Sequence, residues 1–299
     1  MIKLSTQVTI EPSQSTVSHQ TPLLLLGSCF TDHIGQRLIQ SGFEVLCNPF
    51  GTLYNPCSVA ACMQQALHNE PISEQHLVYH DGLWHSWLHH SRFSHPDKME
   101  CLNRCNDSIV QTHNFLAQHP TIIITFGTAY IFSLVAPDAA SQMSYRVVAN
   151  CHKLPSGMFE RRRLTFAEIV NLWGDMVVQL ESAGVAQIIF TVSPIRHMAD
   201  GAHGNQLSKS TLLLAVDCLN ELYPICSYFD SYEILLDELR DYRFYDRDMC
   251  HPSSLAVDII WERFQQTFMT GPTIELARQH ERQQRQSLHR PNINYNSTE

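Results

Sequence analysis

Near the start of the chain, Gly27-Ser28-Cys29-Phe30 sets a hydroxyl and a thiol side by side, directly after an apolar run at 23–26. Apolar residues at helical spacing follow through Ile34, Leu38 and Ile39. The tetrapeptide therefore marks a strand-to-helix turn carrying two candidate nucleophiles. The first turn of a helix has unpaired N–H groups and the positive end of the helix dipole. Such a place lowers the pKa of a thiol and can hold an oxyanion. The same four residues also fit a plain glycine turn followed by a buried cysteine, so local context leaves both readings open.

Toward the other end stands Asp248-Met249-Cys250-His251-Pro252, ahead of a second apolar helix pattern through Ile259, Ile260 and Phe264. A carboxylate and an imidazole three residues apart in one loop can hydrogen-bond directly. The Asp would then fix the tautomer of His251 and stabilise its charged form. An isolated Asp-x-x-His has little specificity, and a capped turn beside a surface histidine looks the same. The pairing gains weight from its chain order: nucleophile, Asp, His.

These residues need a scaffold. Short apolar runs at 23–26, 43–46, 122–126, 188–192 and 225–229 read as buried strands, each followed by turn residues. Helix patterns fall between them, at 57–67, 165–184, 208–222 and 232–239. Thr165 and Glu168 form a capping box, and Gly184 suits a C-terminal cap. Strands alternating with helices predict an α/β fold with a mainly parallel sheet, whose ligands sit at the carboxyl ends of the strands. The turns there are 27–29, 48–52, 127–129 and 193–197. Stretches at about 69–118 and 130–164 break the alternation and read as insertions over the strand ends, within one domain spanning 1–275. The Gln- and Arg-rich end, 276–299, reads as a flexible tail.

Composition narrows the class. The chain has 299 residues, 44% of them hydrophobic, enough for one large core. Its formal charge is −9, and Arg161-Arg162-Arg163 is the only basic run, read as a solvated lead-in to a helix. Nucleic acid is therefore not an expected partner. No segment has the ~18 apolar residues needed to cross a bilayer, and the N-terminus lacks an apolar signal core, so no membrane is expected either. Ten cysteines fall below the density of a disulfide scaffold, and the expectation is reduced thiols in the cytoplasm. His85 and His89 have zinc-like spacing but no third ligand and no following Glu, so no metal is expected. Gly-rich nucleotide loops are lacking as well, and oligomeric state is not legible.

With these motifs in place, the chain resembles the GSCFA family, grouped with the SGNH (GDSL-type) hydrolases. The motifs occur in order: GSCF at 27–30, NPFGTLYNP at 48–56, TFGTA at 125–129, ANCHK at 149–153, SPIRH at 193–197 and the segment ending DMCHPS at 253. The resemblance implies a flavodoxin-like three-layer α/β/α sandwich. It implies that Asp248 and His251 complete a triad with Cys29 on the nucleophile position, or with Ser28 if the match shifts by one residue. It implies Gly51 as an oxyanion donor. The usual third-block Asn is missing from Gly127-Thr128-Ala129, and Asn150 is the candidate replacement. His152 and His197 are candidate pocket residues. The implied activity is hydrolysis of an acylated small molecule or carbohydrate without a cofactor. The alternatives are an O-acyltransferase with an acyl-CoA donor and a non-catalytic carbohydrate-binding relative.

Overall fold

A computed structural model describes residues 6–135 and 147–288. The chain runs β1 (Leu23–Gly27), α1 (Cys29–Gln40), β2 (Val45–Cys47) and α2 (Pro56–His68). A hairpin of β3 (Leu77–His80) and β4 (Leu83–Ser86) leads to α3 (Lys98–Leu116) and β5 (Thr121–Phe126). Next come β6 (Tyr130–Leu134), β7 (Val147–Val148), β8 (Phe159–Arg163), α4 (Phe166–Ser182), β9 (Ile188–Val192) and α5 (Gly201–Leu222). The chain closes with β10 (Cys226–Phe229), a single turn α6 (Ser231–Glu233), α7 (Ser254–Phe268) and α8 (Gly271–Leu288).

The five apolar runs form one sheet in the order β2-β1-β5-β9-β10, and every pair is parallel. The strand order reverses between β1 and β5, which opens a crevice at their carboxyl ends. The Leu23–Leu26 stretch of β1 is apolar throughout because both of its faces are covered. Leu24 and Leu26 pack with Val59 of α2, Cys105 of α3, Trp173 of α4 and Leu212 of α5. Leu23 and Leu25 pack with Phe30 and Ile34 of α1, Phe264 of α7 and Ala277 of α8. All four leucines are fully buried, each contributing on the order of 1.5–3 kcal/mol. The result is a three-layer α/β/α sandwich.

Several elements differ from the sequence reading. Of the stretch 69–118, only the hairpin region stands apart. Helix α3 buries Cys101, Cys105 and Ile109 in the helical layer and is part of the sandwich. Residues 276–288 are not a flexible tail but most of α8. Ala277 is buried, and Ser41 Oγ donates to Glu281 Oε1 at 2.8 Å. A weakly apolar helix needs only this narrow stripe to dock. Residues 289–299 lie outside the described residues, as does part of the second insertion. What is described of that insertion is a three-stranded antiparallel sheet, β7-β6-β8. The arginine run is strand β8, not a lead-in to a helix, and Arg161, though partly exposed, is engaged: it pairs with the buried Asp200 carboxylate and lies over the rings of Tyr130 and Phe132. Helix α5 starts at Gly201, earlier than its apolar pattern, while 232–239 gives α6 and a wide π-type turn in place of a regular helix.

Candidate active site

Gly27 ends β1 where no other residue fits. Its φ is +142°, and a Cβ there would lie 2.2 Å from the Thr125 carbonyl oxygen. The turn is clamped from two sides. Gly27 N–H donates to Asn48 Oδ1 at 2.9 Å, and Leu53 N–H donates to the Gly27 carbonyl at 2.9 Å. The two candidate nucleophiles then separate by role. Ser28 is fully buried, and its Oγ caps α1 by accepting from Phe30 N–H at 3.3 Å. Cys29 is the first residue of α1 and half-buried, and its Sγ lies 3.3 Å from the Tyr54 hydroxyl. Its own N–H makes no hydrogen bond among the described residues, as the first turn of a helix dictates.

Tyr54 is the site residue that sequence reasoning missed. Its carbonyl accepts from Gly127 N–H at 2.8 Å and Thr128 N–H at 2.9 Å, which ties it to the end of β5. Its ring meets His197 edge-on, with centroids 5.8 Å apart. Burial, reinforced by the thiol beside it, pushes the phenol up to about 12, so it stays protonated. The available signal was its place in the NPFGTLYNP turn, at the carboxyl end of a predicted strand.

The histidine loop sits across from α1. His251 Nδ1 and Asp248 Oδ2 are 2.5 Å apart. Asp248 Oδ1 also accepts from the N–H groups of Cys250 and His251, each at 2.9 Å. These backbone donors, and then the imidazole, hold the carboxyl down at about 2. Arg196 braces the loop: its N–H donates to the Cys250 carbonyl at 3.2 Å, and its Nη1 reaches the Met249 carbonyl at 3.4 Å. The imidazole lines the same cavity as Cys29 but is bonded to neither Cys29 nor Ser28.

That cavity has a volume of about 510 Å³. Tyr130, Phe132 and Arg161 of the small sheet form one wall, and Arg196 and His197 form another. Asn150 lines it too. Its Oδ1 accepts from His152 N–H at 2.8 Å, and its amide NH₂ has no hydrogen-bond partner among the described residues. His197 is held neutral, down at about 4, chiefly by burial and then by the nearby Lys209. Lys209, buried on α5, was also absent from the sequence reading. Its Nζ donates to the carbonyls of Gly127 and Ser193, each at 2.6 Å, pinning together the ends of β5 and β9.

Two expected residues lie elsewhere. Gly51 does not line the cavity. Its N–H donates to the Asn48 carbonyl at 2.8 Å, and its α-carbon faces the His90 side chain, so its amide is not available to an oxyanion. His152 is buried behind the wall, with Nε2 2.7 Å from the Ser86 carbonyl oxygen and its ring stacked on His85 at 4.5 Å. His85 and His89 are likewise engaged, with Ser94 Oγ at 2.6 Å and Ser86 Oγ at 2.9 Å respectively. Among the described residues no group of three or more His, Cys, Asp or Glu is gathered as a metal ion would require.

The sequence pattern of the GSCFA family matches residues 22–264, from β1 into α7, and so takes in both Cys29 and the Asp248–His251 loop. The protein belongs to the GSCFA family. No curated protein matches the chain. Among the described residues no helix is long and apolar enough to cross a membrane.

Proposed function

We propose that the protein is an acyl-transfer enzyme of SGNH type, in its simplest form an esterase, with Cys29 as nucleophile. The observation that carries this reading is the convergence, in one cavity at the end of β1, of a helix-N-terminal thiol and an imidazole bonded to a carboxylate. In the first half-reaction Cys29 Sγ bonds to the ester carbonyl carbon while its proton passes to His251 Nε2. Asp248 keeps the Nδ1 proton in place and stabilises the imidazolium. The carbonyl oxygen becomes an oxyanion, for which the Cys29 N–H, the Tyr54 hydroxyl and the Asn150 amide are the available donors. Collapse breaks the ester C–O bond, and His251 returns its proton to the departing alcohol. Water, deprotonated by His251, then attacks the thioester and releases the acid. A hydroxyl in place of water gives O-acyl transfer by the same steps. Ten unpaired cysteines support a reducing compartment, and we place the protein in the cytoplasm.

Turnover of p-nitrophenyl acetate tests this reading. Wild-type protein should release nitrophenol, and Cys29→Ala and His251→Ala should abolish the release. Asp248→Asn should lower kcat by roughly 10²–10⁴-fold while leaving the fold intact, since tautomer control rather than packing is lost. Full activity in Cys29→Ala would remove the thiol from the mechanism. Iodoacetamide should modify Cys29 ahead of the nine other cysteines. Faster labelling elsewhere, with Cys29 left untouched, would count against an activated thiolate.

A further inference from the structure

The chain carries a net charge of −9, yet the charged groups lining the Cys29 cavity leave a positive excess. They are Arg161, Arg196 and Asp200. Arg161 and Asp200 neutralise each other as an ion pair, the Asp200 carboxylate being only 3% exposed. Arg196 has no carboxylate partner among the described residues. On its other side it lines an adjoining groove of about 450 Å³ with Gln206, Tyr232, Tyr242 and Tyr245. The carboxylates of that groove do not reach it. Asp237 pairs with Arg240 at 2.6 Å and Asp241 with Arg243 at 3.4 Å. Asp248 is committed to His251 and to two backbone amides. The guanidinium lies over the Tyr245 ring at 5.1 Å and reaches the Met249 carbonyl through Nη1 alone. A fork of five N–H donors is therefore held by an aromatic face and one long bond, with its remaining donors open between two concave surfaces.

We propose that Arg196 is an anion-docking residue, so that the molecule taken by this cavity carries a carboxylate or phosphate group away from its reacting carbonyl. A planar guanidinium matches either oxyanion with two parallel hydrogen bonds. A positive cavity in an acidic protein also concentrates small anions at its mouth. The inference rests on the acyl-transfer reading only in calling the ligand an ester; the anion requirement stands on Arg196 alone.

Paired alkylating reagents test it. Iodoacetate and iodoacetamide both form an Sγ–C bond and expel iodide, and they differ by one negative charge. The ratio of their rates at Cys29, read by mass spectrometry, isolates the charge preference of the cavity. Arg196→Gln should lower the iodoacetate-to-iodoacetamide ratio about tenfold, the weight of one charge-assisted hydrogen bond. Arg196→Lys, which keeps the charge and loses the fork, should fall between. Salt at about 0.5 M should narrow the wild-type preference. If Arg196 only braces the histidine loop, both rates change together and the ratio stays put, which overturns the proposal. Calorimetric titration with succinate and with inorganic phosphate gives a second readout that needs no reactive thiol. Binding of either anion by the wild type and its loss in Arg196→Gln supports the proposal, and the tighter anion identifies the group. Failure of the wild type to bind either anion overturns it. If neither reagent labels Cys29, the nucleophile assignment fails and the titration still decides the anion site.

Discussion

At the scale of single residues, the thiol is bonded to a phenol and not to the imidazole. Cys29 Sγ meets Tyr54 at 3.3 Å, and that hydroxyl keeps its proton to about pH 12. A donor that cannot ionise near neutrality is available to an oxyanion in the transition state. Tyr54→Phe deletes this donor and leaves the packing against His197. It should lower kcat by roughly 10–100-fold with little change in KM, because the lost bond matters mainly when charge develops. Unchanged kcat would reduce Tyr54 to a wall residue. The sequence exposed Cys29, Asp248 and His251 because each dyad or turn is contiguous in the chain. Tyr54 was not legible, since its hydroxyl reaches the thiol only after the loop behind β2 has folded over Gly27. Gly51 was misread for the converse reason: its place in the motif is right, but a local turn to Asn48 consumes its amide.

At the scale of elements, the parallel strands were legible because residues such as Leu23, Leu24, Ile123 and Ile124 are apolar on both faces. The Thr165–Glu168 capping box likewise announced α4, and both halves of it form. The start of α5 was not legible, because its first turns expose polar residues. That hidden stretch leads to Lys209, a charged residue in an apolar helix pattern that sequence logic places at the surface. Instead its ammonium joins the Gly127 and Ser193 carbonyls, so that the ends of β5 and β9 stay in register under the cavity floor. Lys209→Met keeps the volume and removes the bridge, leaving two buried carbonyls without donors. The expected loss is roughly 2–4 kcal/mol, read from the urea midpoint with an unchanged m-value. Because Gly127 N–H and Thr128 N–H hold Tyr54, the same variant should slow Cys29 alkylation as well. A variant as stable as the wild type would show that those carbonyls find other donors.

At the scale of the whole molecule, burial of neutral histidines sets the acid stability. His89 is held down at about 3 by burial and then by Arg92. His152, at about 4, owes its position to burial, opposed by its bond to the Ser86 carbonyl. His197 is also at about 4. In the unfolded chain each returns to about 6.5. Above that pH all three are neutral in both states, and their contribution to stability is fully present. As pH falls through 6.5 toward 4, the unfolded chain takes up protons that the folded protein refuses, so stability is progressively lost. Each histidine adds a slope of at most about 1.4 kcal/mol per pH unit in that window. Glu233 and Asp230, whose pKa values burial raises, act in the opposite sense and moderate the slope. Carboxylates held low, such as Asp248, lose their contribution only nearer pH 4 and below. The window from pH 5 to 6.5 therefore belongs mainly to the histidines. Urea midpoints should fall steadily across it, and His89→Gln should flatten the fall by about one proton's worth of slope. His89 sits between Ser86, Phe50 and Phe93 under the hairpin, away from the Cys29 cavity, so any change in this variant is a statement about the fold and not about catalysis. A midpoint independent of pH over that window would mean that the three imidazoles are hydrated and titrate as they do in the unfolded chain.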